Sequence, residues 1–100
     1  MSPIKVIETV VEKIHGTDDL FQSTVLPEEI IPKGRSETFI LGTDPNRYRI
    51  VVHGHGLITR DVPIPGTRNT KGEPVIFLNP GETTTLSDKV GNRLDLEYLP

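Results

Sequence analysis

Short apolar blocks alternate with glycine- and proline-rich segments along the whole chain. Nine Gly and nine Pro residues divide the sequence into pieces that are mostly too short for helices. The alternation is clearest in Arg47–Val52, where Tyr48, Ile50 and Val52 fall on one face of a strand. Further strands are predicted at Leu20–Leu26, Arg35–Leu41, Leu57–Ile64, Val75–Leu78, Thr83–Ser87 and Arg93–Leu99. Seven or eight short strands predict an all-β fold, a small β-sandwich of immunoglobulin-like or jelly-roll type.

The first apolar block, Ile4–Ile14, fits two structures. As a helix, it would place apolar residues at heptad spacing on one stripe. As a strand, it benefits from seven β-branched residues in eleven, and the strand is therefore favoured. Residues 1–16 then form either an extended arm that pairs with a neighbouring subunit or the first strand of the domain, and residues 17–100 form the sandwich. Ile4 and Val6 are the predicted contact residues of such an arm.

Two segments between the predicted strands are interpreted as irregular. Glu28–Ile31 is bracketed by prolines and is expected to be a connection along a sheet edge. Gly66–Glu73 is polar throughout and is predicted to be a loop that contacts partners. Arg68 and Lys71 are its candidate contact residues.

Two segments of the sequence are similar to each other. Ile31–Phe39 and Leu78–Leu86 both place a proline–glycine turn before a threonine-rich stretch, which resembles the turn-then-strand phrase of immunoglobulin-like sandwiches. Asp44 followed by Tyr48 resembles the tyrosine corner of that fold, although the Cys-Trp-Cys pattern of true immunoglobulin domains is absent. The resemblance implies an architecture and names no family.

Composition and net charge exclude several classes of function. A chain of 100 residues fits one domain, and a net charge of −3 argues against a general phosphate-binding surface. The absence of cysteine excludes disulfides, thiolate metal sites and thiol nucleophiles. Residues 1–16 lack the features of a signal peptide, and no apolar run has the length of a membrane span. We therefore expect cytoplasmic synthesis without a signal peptide and no membrane partner.

The sharpest chemical motif is His53-Gly54-His55. Two imidazoles at i and i+2 of a strand point to the same side and could reach one metal ion. The motif resembles the first metal-binding motif of cupins, but here the following acid is Asp61 and no later histidine completes the set. His53 and His55 are therefore weak metal candidates, solvated histidines are the favoured interpretation, and no cofactor is predicted.

Arg47, Arg49, His53 and His55 share one face of the predicted strand. Such a basic strip can meet nucleic acid or an acidic protein. No outward aromatic residue is predicted beside it, so nucleic-acid binding is not expected and the two arginines are interpreted as candidate protein contacts.

No serine or carboxylate stands in a recognisable catalytic context, so no enzyme is predicted. The leading hypothesis is a non-enzymatic assembly subunit that forms a homo-oligomer or a larger assembly with other protein subunits. Its most specific version is an accessory or decoration protein of a viral (bacteriophage) particle, which would place the protein in the virion. The alternatives are a small metal-binding β-barrel enzyme or sensor that uses His53 and His55, and a soluble protein-binding module.

Overall fold

The computed structural model describes residues 3–14, 16, 20–42, 47–88 and 90–100, and these residues form β-strands and turns with no helix. Nine strands follow one another along the described part of the chain. They are β1 (Ile4–Lys13), β2 (Phe21–Val25), β3 (Glu29–Ile31), β4 (Ser36–Leu41), β5 (Tyr48–His53), β6 (Leu57–Pro63), β7 (Thr70–Phe77), β8 (Thr83–Ser87) and β9 (Arg93–Tyr98). The predicted all-β sandwich is confirmed.

The strands form two antiparallel sheets. The first sheet has the order β2-β1-β9-β8, and β3 also pairs with β1 beyond the end of β2. The second sheet is a meander with the order β4-β5-β6-β7. The chain passes from the first sheet to the second between β3 and β4, and it returns between β7 and β8. The N- and C-terminal strands are therefore neighbours at the centre of the first sheet.

Aliphatic side chains from both sheets fill the core between them. Alternation along each strand sends one face inward, which is why the buried residues recur at every second position in β4, β5 and β9. The buried set is Ile4, Val6, Ile31, Phe39, Leu41, Ile50, Val52, Ile58, Leu78, Leu94, Leu96 and Tyr98. With no tryptophan in the chain, branched aliphatic packing supplies most of the stabilising burial.

The N-terminal block is a strand of this chain's own sheet. Residues 4–13 form β1, which pairs with β9 on one side and with β2 and β3 on the other. The helical alternative is therefore wrong. Ile4 and Val6 are 0% and 1% exposed, so the arm interpretation that placed them at an intermolecular contact is corrected. They belong to the core, because β1 turns its inward face toward the second sheet.

Two of the segments expected to be irregular are partly strands. Glu29–Ile31 forms β3 because its backbone continues the edge of the first sheet along β1. The predicted loop Gly66–Glu73 is shorter than expected, since β7 begins at Thr70 and pairs with β6 over its whole length. The pattern of apolar residues missed this extension because the side chains of Thr70–Glu73 are all exposed.

Two hairpins extend from the same end of the sandwich. Residues 10–13 of β1 pair with β2 and have no ladder partner in β9, which begins at Arg93. Likewise, the C-terminal half of β6 pairs with β7 but has no ladder partner in β5 beyond Arg60. The radius of gyration is 14.8 Å, against about 13 Å for a compact domain of this length. The hairpins therefore present strand edges outside the compact body.

Candidate functional site

Among the strands that the structure describes, β2 has every one of its residues exposed. All five of its residues, Phe-Gln-Ser-Thr-Val, are exposed, and Phe21 and Val25 are 56% and 63% exposed. Leu20 and Leu26 flank the strand and are exposed as well. We call residues 20–26 the β2 edge. It combines a row of backbone groups at a sheet margin with apolar side chains, which is the arrangement that favours pairing with another strand.

The other sheet margins carry features that discourage pairing. On β7, Lys71 and Glu73 are exposed charges, Pro74 removes a backbone donor, and the ladder with β6 shifts register between Ile58 and Thr59. β4 carries the exposed charge of Glu37. The large apolar residue of β8, Leu86, is half-buried. Among the described strands, β2 alone joins an uncharged, proline-free margin to exposed large apolar side chains.

A network of hydrogen bonds supports the hairpin that carries β2. The Val11 N–H, which lies beyond the end of β9, donates to Asn92 Oδ1 at 2.8 Å. Asn92 Nδ2 in turn donates to Asp88 Oδ2 at 2.8 Å, and Asp88 Oδ1 accepts the N–H groups of Val90, Gly91 and Asn92. Burial opposes ionisation of Asp88, but these hydrogen bonds outweigh it and lower its pKa. The β8–β9 turn thereby holds β1 at Val11, where β1 pairs with β2.

At the base of the same hairpin lies Glu8, an acidic residue whose charged form is disfavoured by its surroundings. Glu8 is half-buried, and its backbone carbonyl accepts a hydrogen bond from the Leu26 N–H at 2.9 Å. Desolvation by burial raises the pKa of the Glu8 carboxyl, and the negative charge of Glu29 raises it further. The ionised Glu8 therefore opposes folding at neutral pH.

A row of three rings forms a second exposed feature, at the opposite end of the sandwich. The rings of His53 and His55 stack with centroids 5.5 Å apart, and His55 stacks on Phe77 at 6.3 Å. Phe77 follows Ile76, which packs against the core, so alternation along β7 turns the Phe77 ring to the other face. It is 57% exposed. The row can therefore offer flat apolar and polarisable surface to a partner.

The histidine motif begins at the last residue of β5 and continues into the hairpin turn between β5 and β6. β5 ends at His53 and β6 begins at Leu57, with the Gly56 N–H donating to the His53 carbonyl at 2.9 Å. Gly56 has a φ of 112°, which suits glycine in a short hairpin. A Cβ at Gly54 would collide with the Pro32 carbonyl, so the β3–β4 turn packs directly on the histidine turn.

The ring geometry does not favour a shared metal ion. Lone pairs of imidazole nitrogens lie in the ring plane, and the two ring planes are within 21° of parallel, so the lone pairs do not converge. In the described ranges, no group of three or more His, Cys, Asp or Glu residues is placed to hold a metal ion. His15 lies outside the described residues.

The four residues of the predicted basic strip make different contacts and do not form one continuous positive surface. Arg49 pairs with Asp61, with Nε and Oδ2 2.7 Å apart, so its charge is partly compensated. Arg47 is exposed at the opposite end of β5 from the histidines. The expectation that no aromatic residue lies outward beside the strip is wrong, because Phe77 stacks on His55.

Arg68 and Lys71, the two candidate contact residues of the predicted loop, are both exposed. Arg68 lies in the β6–β7 connection, where Thr67 Oγ1 donates to the Ile64 carbonyl and accepts from the Asn69 N–H. Lys71 lies in β7. Asp44 and the side chain of Tyr48, which carried the resemblance to a tyrosine corner, lie outside what the structure describes.

Three exposed apolar residues were not singled out from the sequence: Phe21, Val25 and Phe77. The strand Leu20–Leu26 was predicted, and its sequence shows two apolar residues at each end with three polar residues between them. What the sequence did not show was that β2 would stand at a margin with both faces open. An apolar residue in a strand signals burial until the neighbours on each side are known.

The described part of the chain contains no helix that is long and apolar enough to cross a membrane. Comparison with protein-family models found no match. Comparisons with curated proteins and with solved structures likewise found none, so the proposals below rest on the geometry of this chain.

Proposed function

We propose that this protein is a non-enzymatic assembly subunit that joins other protein subunits through the β2 edge. The observation that carries the proposal is the full exposure of an uncharged, proline-free margin strand with Phe21 and Val25 at its ends. Soluble proteins usually blunt such margins, and this chain does so on β7. A margin left open beside protected ones is best explained by a partner strand.

The supporting structure suits a docking element. β2 pairs with β1, and the hydrogen bonds of Asn92 and Asp88 hold β1 in place, so the margin is presented in a fixed extended conformation. Preorganisation of this kind lowers the entropic cost of binding. The exposed apolar side chains add contact area to the backbone hydrogen bonds that a new strand would form.

The more specific hypothesis is an accessory or decoration protein on a viral particle. Its support is analogy of architecture, since compact β domains often serve as such subunits. A protein that stays monomeric at high concentration and binds no larger particle would overturn it.

Light scattering coupled to size-exclusion chromatography tests the assembly proposal. Phe21 and Phe77 form a matched pair, because both are phenylalanines near a strand end and are 56% and 57% exposed. We expect the unaltered chain to form a defined oligomer. Phe21→Lys should raise the dissociation constant of that oligomer at least tenfold, and Phe77→Lys should leave it unchanged. An unaltered chain that is monomeric throughout the accessible concentration range would contradict the proposal.

A second candidate function is a soluble protein-binding module that acts through the β6–β7 hairpin. The exposure of Arg68 and Lys71 on this hairpin favours an acidic partner. Reversing both charges with Arg68→Glu and Lys71→Glu should then abolish binding of acidic peptides and leave the thermal transition intact. Unchanged binding would remove this candidate.

A further inference from the structure

The direction of the backbone groups along the β2 edge can be assigned from its ladder with β1. The Leu26 N–H donates to the Glu8 carbonyl, and the Ile14 N–H donates to the Leu20 carbonyl, both at 2.9 Å. In an antiparallel ladder each residue turns its N–H and C=O to the same side, and the side alternates along the strand. Even-numbered residues therefore bond to β1. Phe21, Ser23 and Val25 turn their N–H and C=O toward the open margin.

The sequence of the β2 edge is complementary to itself. It reads Leu-Phe-Gln-Ser-Thr-Val-Leu, with two apolar residues at each end and three uncharged polar residues between them. When two copies run antiparallel about Ser23, Leu20 faces Leu26, Phe21 faces Val25, and Gln22 faces Thr24. Every apolar residue then meets an apolar residue, and no charge meets a like charge.

The same register satisfies the backbone. It sets Phe21 opposite Val25 and Ser23 opposite Ser23, and these are the residues whose N–H and C=O groups point outward. Each of these pairs can exchange both of its hydrogen bonds. A shift by one residue would place outward groups opposite inward ones and would break the complementarity of the side chains.

We propose that two copies of this chain pair through β2 in this register, with a two-fold axis at Ser23, so that their first sheets join into one continuous sheet. The partner of the β2 edge is thus a second copy of this chain in an isologous contact. The inference rests on the proposed assembly function and specifies its partner. Phe21 opposite Val25 forms an aromatic–β-branched cross-strand pair on each side of the axis.

Single cysteines in this cysteine-free chain test the register. In the proposed pairing the two Ser23 Cα atoms are about 5.5 Å apart, within the range that a disulfide spans. The two Gln22 Cα atoms are roughly 8 Å apart, because they are offset by two residues along the strands, and a disulfide cannot bridge them without backbone movement. Both positions are exposed, so Gln22→Cys controls for disulfides formed by random collision.

Under mild oxidation, we expect Ser23→Cys to form a covalent dimer at least ten times faster than Gln22→Cys, as measured on non-reducing gels and by intact mass. Equal rates for the two variants would overturn the inference. A second variant, Ser23→Pro, removes the outward N–H at the axis. It leaves the hydrogen bonds between β1 and β2 intact, because the Ser23 N–H does not point toward β1. It should turn the dimer into a monomer with an unchanged circular dichroism spectrum.

The outcomes separate this inference from the function on which it rests. If the unaltered chain is oligomeric by light scattering while the two cysteine variants cross-link equally, assembly stands and the β2 register is wrong. If the unaltered chain is monomeric and Ser23→Cys shows no advantage, both proposals fail.

Discussion

Asn92→Ala should be one of the most damaging substitutions outside the apolar core. Asn92 is 6% exposed, and its side chain joins β1 to the β8–β9 turn. Its Oδ1 accepts the Val11 N–H, and its Nδ2 donates to Asp88. Alanine would remove both hydrogen bonds and leave the Val11 N–H without an acceptor beneath the β8–β9 turn.

The magnitude follows from these two losses. An unsatisfied buried donor costs about 1–3 kcal/mol, and a hydrogen bond to a charged group in a partly exposed position contributes about 1 kcal/mol. We therefore expect Asn92→Ala to lower the free energy of unfolding by about 3 kcal/mol. For a domain of this size, that loss corresponds to a fall in Tm of at least about 10 °C.

Urea unfolding followed by far-ultraviolet circular dichroism measures this loss. All samples should have the same protein concentration, because assembly would make the apparent stability depend on it. Asn79→Ala, at an exposed position in the β7–β8 connection, is the matched control and should change the free energy by no more than about 0.5 kcal/mol. An Asn92→Ala loss as small as that of the control would refute the assignment of Asn92 as a structural link.

Three further substitutions are expected to change stability in defined directions. Thr9→Val should stabilise the fold by about 1 kcal/mol in urea unfolding, because the buried Thr9 hydroxyl has no hydrogen-bond partner among the described residues. Glu8→Gln should raise Tm at neutral pH, because burial and Glu29 raise the pKa of Glu8. A carboxyl with a raised folded pKa lowers stability as the pH rises through its ordinary value of 4.5, so the gain should vanish below that pH. Gly54→Ala should lower Tm, because its Cβ would meet the backbone of Pro32.

Controls exist for these substitutions as well. Thr85 Oγ1 donates to Asp95 Oδ1 at 2.8 Å, so Thr85→Val should not stabilise the fold. If it stabilised as much as Thr9→Val, general β-propensity would explain both gains. A Glu8→Gln gain that persisted at pH 3 would show that its origin is not the ionisation of Glu8. Gly34→Ala adds a Cβ with no atom within 4 Å, but its φ of 89° makes it a test of backbone strain alone.

The sequence predicted the elements well where one face of a strand is buried. In β5, Ile50 and Val52 alternate with outward residues, and the strand was placed within one residue at each end. In the first half of β7, Thr70–Glu73 have no buried face, so the apolar pattern carried no information about them. Their strand conformation comes from backbone hydrogen bonds to β6, which depend on pairing and not on side-chain type.

The candidate site was harder to predict for the same reason. Phe21 and Val25 look like core residues in the sequence, and only the sheet order shows that β2 is at a margin. Ile4 and Val6 look equally apolar, yet they are buried because this part of β1 lies between β3 and β9 and faces the core between the two sheets. Long-range pairing therefore decides which β-branched strand forms the core and which remains available to a partner.

The side chains of β2 are separate from the contacts that stabilise the fold. At the end that carries the histidine turn, Gly54 packs against Pro32, and the backbone of Tyr98 bonds to both Gly81 and Glu82. At the other end, Asn92 holds β1 at Val11, and β2 pairs with β1 alone. A substitution of an exposed residue of β2 therefore removes no core contact. A substitution at Gly54, in contrast, would force the backbone at Pro32 to move. This separation allows the proposed assembly to be tested at Ser23 or Phe21 without unfolding the domain, so a loss of oligomer there can be interpreted as a loss of contact.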